Sequence, residues 1–144
     1  MQDEIVSLLA DRLGHELRLA EARRAERSAN PDSMDHYFLG LAAFQKGITI
    51  KLLDQARSHF DLALDLDPDN VEALVQRALV DLMVVGTFLS DDSAERLLSA
   101  ADLSKALRLR LDNAGAHAAL GFLRIFSNRA AQGIAECERA LAID

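Results

Sequence analysis

Tryptophan is absent from this chain of 144 residues, cysteine and tyrosine occur once each, and there are only two prolines and seven glycines. One cysteine rules out an internal disulfide, so stability must come from a packed core. Few prolines and glycines leave few obligatory breaks, and the remaining composition, rich in Ala, Leu and Arg, favours helix nearly throughout. A basic excess is also missing: 16 Lys and Arg stand against 23 Asp and Glu, for a net charge of −7. That balance argues against a general affinity for nucleic acid or an anionic membrane, both of which require a positive footprint. No apolar run reaches the ~18 residues of a membrane span, and Met1-Gln2-Asp3-Glu4 lacks the basic and apolar regions of a secretion signal. The expected setting is cytoplasmic. With half of its residues hydrophobic, the chain has enough apolar material for a continuous core and reads as a soluble all-α domain.

Periodicity divides the chain into residues 1–29 and 30–144. In the first part Ile5, Leu9, Leu13, Leu17 and Ala20 recur every three or four residues, and the acidic Asp3 and Glu4 complement the helix N-terminus. Arg18, Arg23, Arg24 and Arg27 load the opposite end, where the dipole favours positive charge; they read as a solvated helix end. Asn30-Pro31-Asp32 breaks the chain, with Asn30 as the expected cap of a helix over about 32–46.

Beyond this break a pattern returns three times. Ala63-Leu64, Ala106-Leu107 and Ala140-Leu141 are equivalent, with spacings of 43 and 34 residues, while Gly40, Ala78 and Gly121 share a slot at spacings of 38 and 43. Both rulers hold only with insertions, one at about 48–53 and a larger one at about 85–95. Gly86 is expected to weaken one helix there, Asp92-Ser93-Ala94-Glu95 to cap the next from near Ser93 to near Leu109, and Asn113 to cap the one after. The units are about 33–70, 71–113 and 114–144.

Leu39-Gly40, Ala56-x-x-x-Phe60 and Pro68 fill, in order, the slots of a tetratricopeptide unit. The resemblance covers about residues 33–144 at declining fidelity; Gly133-x-x-x-Cys137 stands in the third unit where Ala56-x-x-x-Phe60 stands in the first. It implies an α-α superhelix of about three helix pairs that builds a binding surface. A narrower resemblance is carried by Gln2-Asp3-Glu4-Ile5, Ala20-Glu21-Ala22-Arg23-Arg24-Ala25, Asn30-Pro31-Asp32, Gly40-Leu41-Ala42-Ala43 and the ending from Asn128 to Leu141. These segments look like the C-terminal repeats of bacterial class III adenylate/guanylate cyclases that carry a TolB-like domain, or of related winged-helix regulators. By that resemblance the first helix would close a preceding domain, and the chain would regulate or dimerise its parent.

In the tetratricopeptide family the first helix of each pair lines a concave groove. The helix period assigns to that face Met34, Tyr37, Leu41 and Phe44, then Val75, Leu79, Leu82 and Met83, then Phe122, Ile125 and Phe126. The groove is therefore expected to be apolar and to take a helix or peptide. Members that clamp a terminal carboxylate use Lys and Asn at places held here by Tyr37, Leu41, Val75 and Leu79, which disfavours that mode. An empty apolar groove is a liability, so the expected partners are another protein or peptide, the chain's own N-terminal helix, or a second copy in a homodimer.

Catalytic signals are lacking. His15, His36, His59 and His117 show no metal-binding i, i+4 spacing and none adjoins the cysteine. His36 and His117 occupy a slot where the tetratricopeptide family often has Trp, and Cys137 replaces an aromatic; all three are expected to pack. Asp65, Asp67 and Asp69 lack the Gly and distant Glu of a calcium loop, and with Asp91 and Asp92 they fit turn and cap chemistry. No phosphate loop or nucleophile constellation is present, so the expectation is a non-enzyme with no cofactor and no metal.

Overall fold

A computed structural model describes residues 2–88 and 93–143, with the helical backbone alone for residue 88 and residues 93–97. All regular structure among them is α-helical: α1 (Gln2–Glu26), α2 (Ser33–Gln45), α3 (Ile50–Leu66), α4 (Val71–Phe88), α5 (Ser93–Leu109), α6 (Ala114–Phe126) and α7 (Ala130–Ile143). No helix among the described residues is long and apolar enough to cross a membrane.

Local chemistry sets the boundaries. The cap of α2 is Asp32, two residues later than the expected Asn30. The Asp35 N–H donates to Asp32 Oδ1 at 2.8 Å and the Asp32 N–H donates back to Asp35 Oδ2 at 2.9 Å. This reciprocal box satisfies two otherwise orphaned donors, which a cap at Asn30 could not do. After α2, Gly47 turns the chain at φ +147°, a conformation that side chains disfavour. Thr49 then caps α3. Asp67 and Pro68 close α3, and the turn is fixed by Asn70, whose Oδ1 accepts from the Ala73 N–H while its Nδ2 donates to Ser33 Oγ. Asn113 caps α6 as expected, accepting from the Ala116 N–H at 2.8 Å. That helix ends at a left-handed Asn128 (φ 58°), with Arg129 N–H bonding back to the Arg124 carbonyl, a Schellman-type closure. The capping box expected at Asp92-Glu95 lies outside the described residues, although α5 does start at Ser93. Gly86 does not end α4, which runs on to Phe88.

Each helix packs on its neighbours in sequence. In addition α2 packs on α4 and α4 on α6, whereas no such contact joins α3 to α5 or α5 to α7 among the described residues. The first helices of the pairs thus form one side of a row and the second helices the other. Ala63, Ala78 and Ala106, three of the register positions read from the sequence, have no exposed surface, and Ala140 is buried too. Their small side chains let helices approach closely. One part of the core gathers Leu41, Leu53, Phe60 and Val80; the other gathers Leu64, Leu74, Leu82, Leu103 and Leu123.

Charged pairs lace the row together. Arg77 on α4 donates to Asp61 on α3 at 2.8 Å and, through two nitrogens, to Asp102 on α5 at 2.7 and 2.8 Å. The bond to Asp102 holds the Arg77 guanidinium even more firmly charged than usual, against the opposing effect of burial. Arg57 pairs with the buried Asp81. Removing Arg77 would take two bonds from an Asp102 carboxylate that has little water around it.

Candidate functional site

The first helices carry a cavity of about 280 Å³ lined by Phe44 of α2, Leu79, Leu82 and Met83 of α4, and Phe122 and Phe126 of α6. All six belong to the face assigned from the helix period. Every lining side chain is hydrocarbon or thioether, so the cavity can select by shape and desolvation but offers no group for polar orientation. Its volume falls just short of the ~300–1,000 Å³ of ordinary small-molecule sites and suits a few inserted apolar side chains. Phe122 keeps 49% of its surface exposed, so the rim is open to solvent.

The rest of the assigned face divides. Leu41 and Val75 are buried in the core, and Leu82 lines the cavity with only a sliver exposed. Tyr37 is half-buried among Phe38 and Phe60, with ring centroids 5.2 and 6.2 Å away. Burial chiefly, with the negative Glu72 nearby, raises its phenol above the ordinary value, and Arg18 partly offsets this. Met34 is exposed, with its sulfur 3.5 Å from Asn70 Nδ2. Ile125 sits against Gly133 of α7. The groove is thus shorter than the sequence pattern implies and is centred between α4 and α6.

Gly86 has a role that its helix-breaking reputation hides. A Cβ there would lie 2.9 Å from the Phe126 ring, so the bare backbone is the seat on which this wall of the cavity rests. A glycine that interrupts an apolar helical run is the signal for such a seat.

The N-terminal helix leaves the cavity open. Among the described residues α1 packs on α2 alone, through Ala22 and Ala25 and through Arg24, which donates to Asp35 at 2.6 Å while also bonding Glu21 of its own helix at 2.9 Å. Arg24 thus ties α1 to α2 while its side chain stays more than half exposed, so the end is solvated as expected and carries one contact between helices as well. Ile5, Leu9, Leu13 and Leu17 are between 55% and 70% exposed.

Two histidine sites account for three of the four imidazoles. On α2 and α3, His36 and His59 stack with centroids 5.9 Å apart. Burial first, and the neighbouring His36 second, lower the His59 pKa. His59 borders a broad depression of about 800 Å³ rimmed by Glu26, Lys46, Lys51 and Asp54; nothing in the sequence pattern flagged it, because its residues come from three helices. Between α6 and α7, buried His117 places Nδ1 2.7 Å from Glu136 Oε2 and Nε2 2.9 Å from the Leu111 carbonyl. Arg124 donates to the other Glu136 oxygen at 2.7 Å. Burial alone would raise the Glu136 pKa; the bond from His117 and the charges of Arg124 and Arg139 prevail and hold it below the usual range. This cluster is walled in and joins two helices. Cys137 is half-buried, its sulfur against Gly121, in a packing position.

No protein-family model matches the chain, and no curated protein matches it.

Proposed function

We propose that the chain is a non-catalytic protein-interaction module, a tetratricopeptide-like solenoid of three helix pairs. It takes the apolar face of a partner helix or peptide into the cavity between α2, α4 and α6. The observation that carries this reading is the wholly apolar lining contributed by all three first helices, with Phe122 half exposed at its rim. Soluble proteins rarely leave such a surface without use. Binding would follow the helix-in-groove mode, in which side chains at i, i+3 or i+4 and i+7 enter successive apolar seats. Leu79, Leu82, Met83, Phe122 and Phe126 are the anchors, and Phe44 closes one end. Affinity comes from hydrocarbon burial, worth roughly 25 cal/mol for each Å² removed from water before the costs of ordering the partner.

The experiment is a selection from a displayed library of helix-forming peptides, followed by affinity measurement on the wild-type chain and on Leu79→Glu. Enrichment of peptides with a helical apolar stripe, and at least a tenfold loss of affinity in a folded Leu79→Glu variant, are expected. Undiminished affinity in that variant would refute the groove.

A further inference from the structure

Along α4 the positions that share the groove face are Leu79, Leu82, Met83 and then Gly86, so large side chains are followed by none at all. The helix itself does not call for this glycine. α4 continues to Phe88, and among the described residues the glycine with a positive φ is Gly47. Inside a helix glycine is also a weaker former than alanine. What needs the bare backbone is the ring of Phe126, which reaches across from α6 and meets it tip first. A Cβ at position 86 would stand 2.9 Å from Cζ, 3.4 Å from Cε2 and 3.5 Å from Cε1. Carbon atoms in contact prefer about 3.5–4.0 Å, so the ring would have to withdraw by roughly 0.6 Å or more. The helix that carries it is fixed by its backbone joint to α7, where a Cβ on Gly133 would meet the Gly121 carbonyl at 2.7 Å. The ring must therefore swing. Outward lies water, which Phe126 already meets over 43% of its surface; inward lies the apolar cavity. Hydrocarbon leaves water where it can, so a displaced ring turns inward.

We propose that Gly86 is the residue that holds this cavity open and so determines which apolar anchors it accepts. Its bare backbone parks the tip of Phe126 and makes the ring an end wall; any side chain at position 86 turns the same ring into a plug. With the ring parked, the cavity of about 280 Å³ admits large aliphatic or aromatic anchors. With the ring inside, only small ones fit. The preference for large anchors rests on the reading of the cavity as a partner's seat, whereas the parked ring does not.

Xenon dissolved under pressure tests the parked ring without any partner, because it enters dry apolar cavities. In the wild-type chain it should shift the methyl signals of Leu79, Leu82 and Met83. Gly86→Ala should lose these shifts while keeping the wild-type circular dichroism, since alanine suits a helix and the obstructed atoms are the far end of a side chain. Gly86→Ala/Phe126→Leu should regain them, because leucine lacks the ring atoms that the new methyl group displaces. Wild-type xenon shifts in Gly86→Ala, no shifts in the wild type, a silent double variant or a Gly86→Ala chain that does not fold would each overturn the proposal. Peptide selection then reads the size rule: peptides selected on Gly86→Ala should carry smaller apolar anchors than those selected on the wild type. Identical anchors from the two selections would refute that rule. The interaction reading is decided separately, by peptide affinity for Leu79→Glu, so failure of one is told apart from failure of the other.

Discussion

The first and the last helix pair occupy the same register and are held together by opposite means. Between α2 and α3 the gap is filled: the ring of Phe60, with no exposed surface, lies where a Cβ on Gly40 would come within 2.5 Å of it. Between α6 and α7 the gap is closed: a Cβ on Gly121 would meet the Cys137 sulfur at 2.6 Å and the Gly133 carbonyl at 3.0 Å, and one on Gly133 would meet the Gly121 carbonyl at 2.7 Å. The first pair adds a stacked histidine couple, whereas the last adds the buried His117–Glu136–Arg124 cluster. Since Phe44 belongs to the first pair and Phe122 and Phe126 to the last, the two ends of the cavity rest on different chemistry. One end is supported by hydrocarbon volume, the other by backbone proximity and charge.

The largest effect should come from emptying the first joint. Phe60→Ala is expected to destabilise the chain by about 3–5 kcal/mol in urea titrations, since it leaves an aromatic-sized void in a fully buried site. A loss below ~1 kcal/mol would mean that the joint collapses around the gap. Overfilling the last joint should cost less: Gly121→Ala is expected to lose about 1–3 kcal/mol, because the atoms in its way include backbone that cannot swing aside. Breaking the ionic cluster with Glu136→Gln should cost a similar ~1–3 kcal/mol, since Gln cannot serve both His117 and Arg124 as the carboxylate does.

Acid should separate the joints in order. The folded His59 pKa lies below its ordinary 6.5, so the unfolded chain takes up its proton first, and stability begins to fall as pH drops below about 6.5. The folded Glu136 pKa lies below 4.5. Its contribution is present above about pH 4.5 and is lost as pH falls through the folded value. Thermal midpoints recorded from pH 8 to pH 3 should show the first decline blunted in His59→Gln and the second blunted in Glu136→Gln. The smallest stability effect should be at the cavity rim, where Phe122→Glu is expected to stay within ~0.5 kcal/mol of the parent. A large loss there would make Phe122 part of the core and blur the distinction between joint and groove.

The first joint was more legible in the sequence than the last because it uses a large, uncommon side chain. Phe60 four residues after Ala56, with Gly40 upstream, announces a helix pair. Gly133-x-x-x-Cys137 announces far less, since two glycines meeting backbone to backbone leave no distinctive residue to read. Period alone also gave the face of each first helix but not its depth. Leu41, Val75 and Phe122 share a phase, yet the first two are sealed by neighbouring helices and the third is at an open rim. Burial of that kind is decided by packing between units, which a single helix's pattern does not encode. The cap at Asp32 is hard to read from sequence because Asn30-Pro31 is an equally good local start, and only the reciprocal bond with Asp35 decides between them. The bond from Arg24 to Asp35 is illegible for another reason: its partner lies on the next helix.

The central claim is that the cavity between α2, α4 and α6 receives apolar side chains of a partner. The most direct measurement is a methyl-resolved nuclear magnetic resonance titration of the chain with a helical peptide selected against it. The account predicts that the methyl signals of Leu79, Leu82 and Met83 shift together and saturate, while those of Leu9 and Leu13 on α1 stay in place. It also predicts that Phe122→Glu abolishes these shifts without unfolding the protein. Shifts confined to α1, or unchanged binding by folded Phe122→Glu, would contradict it.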